Sequence, residues 1–417
     1  MKIKALNGFK DILPKDVALW REVEETARTV LKRFHFTEIR LPILEKTELF
    51  ARSIGADTDI VEKERYTFTD KQVTMRPEAT ASLMRAYIEH SMHAARPVQR
   101  LFTIGPMFRH ERPQKGRLRQ FHQLDVEVLG SAGYRLDAEL MSLGAHLFSE
   151  LGVRTSLEIN SLGCPLCRPG YRQELLAFIE ERLADLCDDC RRRSITNPLR
   201  VLDCKNSKCR RQVAEAPSII DHLCGDCAEH FDGVRHNLKL LGIDYAVNKF
   251  MVRGLDYYVR TTFEFVTDQL GAQSAVCAGG RYDGLIEMLG GPKIPGIGFA
   301  MGIERLVLLL QQSREAGPAA DEIDLFLAGL GSEAGDFCFK LMHQLRINGL
   351  RVDMDLDSKS LKSQMKQADR AGARAVLIIG SEELEAGRAP LRDMTTGDQT
   401  DIDLDRVGEY VQQKSRT

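Results

Sequence analysis

The chain has 417 residues, 43% hydrophobic and 28% charged, and its 58 basic against 60 acidic side chains leave a formal net charge of -2. That composition is that of a soluble globular protein, and the length exceeds one ordinary core, so two or three domains are expected. It excludes an overall positive field for nucleic acid and any bilayer-spanning run; the start, Met1 to Gly8, lacks a secretory pattern, so a cytoplasmic protein is expected.

The elements follow in chain order. Residues 16–33 carry a helical pattern, and 37–44 alternate Ile39, Leu41 and Ile43 with Glu38, Arg40 and Pro42, which predicts a strand with proline near its end. Two extended runs between Val98 and Gly130 flank a basic loop, Arg109 to Arg119, with five basic residues against one acid, Glu111. In the second run Gln123, Asp125 and Glu127 share one face, and Leu124, Val126 and Val128 the other. An apolar face on a core and a polar face toward a cavity describe an antiparallel sheet that floors an active site. Residues 155–162 predict another strand. From 164 to 247 the texture is helical, charged and cysteine-rich, as in an inserted domain, and strand-like sequence resumes over 249–266.

Residues 296–306 run from a glycine-rich strand into a helix. Met301 stands where the third glycine of a dinucleotide fingerprint belongs, so that reading fails; the glycines are expected to let a flat ligand lie on the strand. Residues 313–320 have linker composition. Beyond them strands at 323–330, 351–356 and 373–380 alternate with helices at 333–346 and 358–371, which predicts a small α/β domain with a mainly parallel sheet. It has no Walker-type phosphate loop, so it reads as a binding module.

Eight of the ten cysteines fall in one window: Cys164 and Cys167, Cys187 and Cys190, Cys204 and Cys209, Cys224 and Cys227. In a chain without secretory features this spacing suits structural zinc better than disulfides. Two four-thiolate sites, one site with spare cysteines, or reduced thiols remain alternatives.

Two segments dense in arginine, tyrosine and glycine, Arg253-Gly254-Leu255-Asp256-Tyr257-Tyr258 and Gly279-Gly280-Arg281-Tyr282-Asp283, suit the lining of a polar pocket approached closely by backbone. They match the two histidine-specific signatures of the histidyl-tRNA synthetase family, and the chain resembles that family over nearly its whole length. Phe108-Arg109-His110-Glu111 with Arg119-Gln120-Phe121-His122-Gln123 resembles motif 2 of the class II aminoacyl-tRNA synthetases. Gly298 to Arg305 resembles motif 3, and the Leu41-Pro42 strand resembles motif 1. The implied fold is α+β: the class II antiparallel sheet flanked by helices over 1–163 and 248–312, a helical insertion over 164–247, a linker over 313–322 and an anticodon-binding α/β domain over 323–417.

The resemblance implies activation of L-histidine by ATP, with magnesium, to histidyl-adenylate and pyrophosphate, and then transfer to tRNA(His). Arg109 and Arg253 are the implied catalytic arginines at the α-phosphate; Arg109, Arg117 and Arg305 would hold ATP. Fixed guanidinium charges suit a displacement between two anions. Glu78, Thr80, Gln123, Glu127, Arg253, Tyr258 and Tyr282 would hold histidine. Of the adjacent tyrosines, Tyr258 rather than Tyr257 is expected to face it. Arg112 and Gln114 would meet the tRNA acceptor end, where this family reads an extra 5′ guanosine. Motif 1 implies a homodimer. The rival is the synthetase-like regulatory subunit of ATP phosphoribosyltransferase, which shares the fold but generally lacks the last domain and the catalytic arginines.

Overall fold

A computed structural model describes residues 3–54, 64–114, 116–253, 257–270, 275–313 and 323–415. The chain divides into a unit of residues 1–315 and a unit of residues 316–417. The predicted linker thus lies almost wholly outside the described residues.

The first unit is built on an eight-stranded sheet. Its strands, in chain order, are β1 (Thr37–Glu38), β5 (Gln99–Phe108), β6 (Gln120–Leu129), β7 (Ser156–Ser161), β8 (Tyr245–Val247), β9 (Val259–Val266), β10 (Ala275–Arg281) and β11 (Gly296–Gly302). They lie side by side as β1-β5-β6-β11-β10-β9-β7-β8, antiparallel except for the edge pairs β1–β5 and β7–β8. Alternation decides which face each residue uses. Leu124, Val126 and Val128 of β6 enter the main core with Phe263 and Phe265 of β9 and Phe299 and Met301 of β11. That core is closed by Leu19, Val23, Val30 and Leu31 of the helix Pro14–Arg33, by the helix Tyr134–Glu150 and by Leu306 and Leu310 of the helix Ile303–Ser313. Proline at the start of the first helix fits there because that position has no intrahelical N–H bond to lose.

The segment expected as one strand over 37–44 is instead two short strands in different sheets. β1 ends at Glu38, and β2 (Leu44–Lys46) joins β3 (Tyr66–Phe68) and β4 (Val73–Met75) in a separate sheet of order β2-β4-β3. Pro42 offers no N–H for a ladder. Buried Arg76 captures the intervening carbonyls instead, donating from Nη1 to Leu41 O (3.0 Å) and Pro42 O (3.4 Å) and from Nε to Pro106 O (2.9 Å). Likewise the strand expected from 249 begins only at Val259, while Tyr245–Val247 at the end of the helical segment pairs with β7.

Between β7 and β8 the chain forms the helices Arg168–Glu180, Asp188–Thr196, Leu199–Leu202, Ser207–Gln212 and Gly225–Leu240. Tyr171, Leu175, Ile179, Val201 and Val213 give this segment a core of its own. The second unit is a five-stranded sheet ordered β13-β12-β14-β15-β16, from β12 (Leu325–Gly329), β13 (Val352–Met354), β14 (Ala375–Ile379), β15 (Arg388–Asp393) and β16 (Gln399–Asp403). The first three are parallel as expected; β15 and β16 are an antiparallel extension that the alternating α/β pattern did not announce.

Candidate active site

The polar face of β6 is the floor of the site, but it is not solvated: Asp125 and Glu127 are 1% and 2% exposed. Thr80, at the start of the helix Thr80–Glu89, and Tyr282 meet Glu127, while Glu78, Arg76 and Arg109 surround Asp125. Glu127 accepts hydrogen bonds from Thr80 Oγ1 at 2.6 Å and from the Tyr282 hydroxyl, one on each carboxylate oxygen. Burial pushes its carboxyl up to about 8, against the downward pull of those two donors. Glu78 Oε1 accepts from the backbone N–H of Ala81 at 3.0 Å. Glu78 Oε2, Asp125 Oδ2 and Gln123 Oε1 are buried with no hydrogen-bond partner among the described residues. Burial raises the Glu78 carboxyl, and burial beside Glu127 and Glu78 raises Asp125 well above the carboxylate range. Buried acceptors are normally paired, so three left over on Glu78, Gln123 and Asp125 single out this part of the sheet.

The three tyrosines pack as a cluster, with ring centroids 4.7 Å apart for Tyr257–Tyr258, 5.7 Å for Tyr257–Tyr282 and 6.4 Å for Tyr258–Tyr282. Tyr257 is buried in an apolar group with Leu83, Tyr87 and Leu285, whereas Tyr258 is half-buried at its margin. Burial moves the Tyr258 phenol up to about 12, so it stays a neutral donor and acceptor.

The glycines of β11 and β10 have a different use from the one expected. A Cβ on Gly298 would stand 1.5 Å from Glu127 Oε2, and one on Gly296 would stand 2.4 Å from the Tyr282 ring. A Cβ on Gly280 would meet the Tyr258 ring at 3.0 Å. The missing side chains therefore make room for the protein's own pocket residues. Register explains it, since Gly298 lies opposite Glu127 on the neighbouring strand.

Arg281 also departs from the reading of its segment as pocket lining. It is fully buried away from the pocket's tyrosines, donating to Asp137 from Nε (2.9 Å) and Nη2 (2.6 Å) and to Asp283 from Nη1 (2.9 Å). His230 bonds the other side of Asp137 at 2.8 Å. Arg281 ends β10 and holds the scaffold, while Tyr282, just beyond the strand, sends its hydroxyl to Glu127. The partners Asp137 and His230 lie 144 and 93 residues away from Arg281 and Asp137 respectively, a separation that no local pattern signals.

The arginines are distributed along the same sheet. Arg109, one residue beyond β5, donates from Nε to Pro77 O (2.8 Å) and lies over the Phe121 ring at 5.2 Å. Arg253 is held by Thr262 Oγ1 (2.6 Å), Glu264 Oε1 (2.8 Å), Gly279 O (2.9 Å) and Phe263 O, which use four of its five N–H groups. Its guanidinium lies 5.7 Å from the Tyr258 ring centre. Gly254, Leu255 and Asp256 of that signature are outside the described residues. Arg305 donates to Ala275 O at the far end of β10, and its positive charge is disfavoured by burial and by nearby Arg117. Arg117 pairs with Glu111 at 3.0 Å. Arg305 and Arg117 thus lie close together, with Glu111 and Glu264 near Arg305. Glu127 and Gln123 are four residues apart on β6, about 13 Å of strand. Arg109 and Arg253 thus lie beside the carboxylates and tyrosines, while Arg117 and Arg305 form a second group.

The motif 2 loop closes as a tight hairpin in which Gln114 and Arg117 exchange backbone hydrogen bonds of 3.0 and 2.9 Å, with Gly116 at φ +76°. Arg112 and Gln114 are exposed on it. The eight cysteines separate into two groups, Cys164/Cys167/Cys224/Cys227 and Cys187/Cys190/Cys204/Cys209, with the four sulfurs of each within 4.8 Å of one another. Sγ···Sγ separations include 3.7 Å for Cys164–Cys167, 3.8 Å for Cys164–Cys224 and 3.9 Å for Cys187–Cys204.

A sequence model of the family "Histidyl-tRNA synthetase" matches residues 8–167 and 172–306, and one described as "Anticodon binding domain" matches 324–414. The chain is 64% identical to the histidine–tRNA ligase of Desulfotalea psychrophila over 97% of its own length and 94% of that protein's. It is 56% identical to that of Geobacter metallireducens, over 97% and 98%. Among solved structures, apo histidyl-tRNA synthetase of S. aureus superposes with a TM-score of 0.81 at 38% identity, covering 98% of this chain and all of that one. A Bacillus halodurans structure described as an ATP phosphoribosyltransferase regulatory subunit/histidyl-tRNA synthetase shares the fold, at 17% identity and a TM-score of 0.65 over 91% of this chain and 98% of that one. With its two synthetase modules in order and relatives of this identity along nearly all its length, the chain belongs to the histidyl-tRNA synthetase family.

Proposed function

We propose that the chain is a histidine–tRNA ligase that activates L-histidine with ATP at the Glu127–Tyr282 end of the sheet and passes it to tRNA(His). The buried carboxylate of Glu127, fixed by Thr80 and Tyr282, carries this reading. A neutral imidazole has one nitrogen that donates and one that accepts. Glu127 accepts from the first and the Tyr258 hydroxyl serves the second. The unpartnered Oε2 of Glu78 and Oε1 of Gln123 take the α-ammonium of the substrate, beside Thr80. A wrong side chain leaves these groups unpaired and buried, which discriminates by about 10⁴–10⁵-fold where size exclusion alone does not.

Arg109 aligns the attacking carboxylate with the α-phosphate, and Arg253 offers its fifth N–H to the same phosphate. Both are anchored through other nitrogens before substrate arrives, so little reorganises as negative charge builds. Arg305 and Arg117 hold the adenine and γ-phosphate end. Magnesium supplies charge neutralisation on the polyphosphate; Glu264, beside Arg253 and a quarter exposed, is the oxygen donor suited to it. Arg112 and Gln114 on the hairpin meet the acceptor end, whose unpaired base edges are readable, and the unit over 323–417 reads the anticodon. The regulatory-subunit reading loses to this one because the anticodon module and all three arginines are present.

Two zinc ions belong to the inserted segment 164–247. A tetrahedral site with Zn–S bonds of about 2.3 Å places its sulfurs about 3.8 Å apart; three separations here are 3.7, 3.8 and 3.9 Å, and all those within each group lie within 4.8 Å. A homodimer in the cytoplasm completes the proposal: Ile43, Leu44 and Phe68 around motif 1 are 40%, 49% and 50% exposed, an apolar surface suited to a two-fold contact. Light scattering at micromolar concentration is expected to give twice the chain mass; a fully active monomer would refute the dimer. The ligase reading is tested by charging a tRNA(His) transcript with labelled histidine. Efficient charging that drops when the extra 5′ guanosine is removed supports it, and no charging of either transcript overturns it.

A further inference from the structure

We infer that the metal of the outer cysteine group, Cys164/Cys167/Cys224/Cys227, is a clamp that positions both histidine-facing tyrosines, whereas the inner group serves only the insertion's own fold. This rests on the zinc reading above.

The outer group sits where the chain leaves the sheet after Ser161 and where the returning helix Gly225–Leu240 begins. Leu162 and Gly163 still pair with the start of β9, through Leu162 N–H to Arg260 O (2.7 Å) and Arg260 N–H to Gly163 O (2.8 Å). Gly163 then turns with φ +60°, and a Cβ there would strike Cys167 Cβ at 2.6 Å. The turn therefore delivers Cys164 and Cys167 against the sheet edge.

From this point two arms reach the pocket. On the first, Arg168 follows Cys167 directly, donates from Nε to Leu162 O (3.2 Å) and from Nη2 to the backbone carbonyl of Tyr258. On the second, Cys224 and Cys227 begin the helix Gly225–Leu240, and His230 on its first turns bonds Asp137. Asp137 grips Arg281, and the next residue, Tyr282, donates its hydroxyl to Glu127. The backbone N–H of Cys224 donates to Cys167 Sγ at 3.2 Å, the same kind of N–H···S bond that stabilises a metal-bound thiolate. One ion bound by four sulfurs would thus join residues 57 apart in sequence and lock the two arms together. The inner sulfurs lie in the insertion's core with Leu186, Val201 and Val213, a cluster that also takes in Tyr171 and Leu175 of the first arm's helix and packs against Phe250 and Val252; among the described residues their hydrogen bonds run to one another and not to Arg168 or His230.

The experiment combines metal content with histidine binding by calorimetry, without ATP. Two zinc ions per chain are expected in the wild type, and one in each of Cys224→Ser/Cys227→Ser and Cys187→Ser/Cys190→Ser. Histidine Kd rises about tenfold in the outer variant and stays within twofold in the inner one. Arg168→Ala keeps both ions and also weakens histidine, with KM for histidine raised and KM for ATP unchanged. Arg168→Ala decides the matter if the outer variant does not fold. Wild-type histidine affinity in Arg168→Ala with two ions, and in the outer variant with one, overturns the clamp and leaves the zinc reading standing; two ions in the outer variant overturn both. Absence of zinc from wild-type protein purified without chelator removes both.

Discussion

Substituting Glu127→Gln changes one atom in a site whose geometry is set on both sides. The amide can still meet Thr80 and Tyr282, because a hydroxyl turns to accept as readily as it donates. The variant loses the charge-assisted acceptance of the imidazole N–H. Hydrogen bonds to charged groups contribute about 1.5–3 kcal/mol, so kcat/KM for histidine is expected to fall about 10- to 150-fold with KM for ATP unchanged. The pH dependence is more diagnostic. Without ligand the carboxyl holds its proton up to about pH 8, and accepting from the substrate requires that proton to leave. Wild-type kcat/KM for histidine should therefore climb between about pH 6.5, above which free histidine's ring is mostly neutral, and about 8. Glu127→Gln should be flat across that window. Histidine-dependent exchange of labelled pyrophosphate into ATP at five pH values reads both effects. A variant with wild-type KM for histidine and the wild-type slope would refute the assignment of Glu127.

The same carboxyl makes a stability prediction. Its folded value lies above that of an unfolded chain, so its contribution is present below about pH 4.5 and is lost as pH rises through about 8; melting of the unliganded protein should weaken over that range, and histidine should restore it. Gly298→Ala forces a methyl into the Glu127 carboxylate and within 2.6 Å of Val126 O, and at least a tenfold loss in histidine kcat/KM is expected; an unaffected KM would mean the carboxylate lies elsewhere. Arg281→Ala leaves Asp137 and His230 buried without their cation. Removing one partner of such a pair costs about 3–5 kcal/mol, so chemical denaturation should show that loss, and a change below about 1 kcal/mol would contradict the buried network.

The alternation of Gln123, Asp125 and Glu127 with Leu124, Val126 and Val128 was enough to read a sheet with a chemical face, and the structure has that face. The paired signatures brought Tyr258, Tyr282 and Arg253 into view because their residue types make a poor core. What the pattern hid was long-range. Arg281 looks like its ligand-facing neighbours, and only Asp137, brought in by the helix Tyr134–Glu150, makes it structural. Gly298 and Gly296 of β11 signalled close approach correctly, but the groups they admit are the side chains of Glu127 and Tyr282, a fact that depends on cross-strand register. Asp125 was visible on the polar face, yet nothing local predicts that it is buried with an oxygen left over. Pro42 split a strand that alternation alone would have continued, and the cysteines could be grouped into fours only once the helices Arg168–Glu180 and Gly225–Leu240 had brought distant pairs together.

The roles given to these residues all require that the sheet activates histidine with ATP. Pyrophosphate exchange by the purified full chain, run with each of the twenty amino acids, tests it most directly. Exchange that depends on histidine alone and collapses in Arg109→Ala is the predicted result. Histidine binding without any exchange, in wild-type protein with magnesium and ATP present, would contradict it.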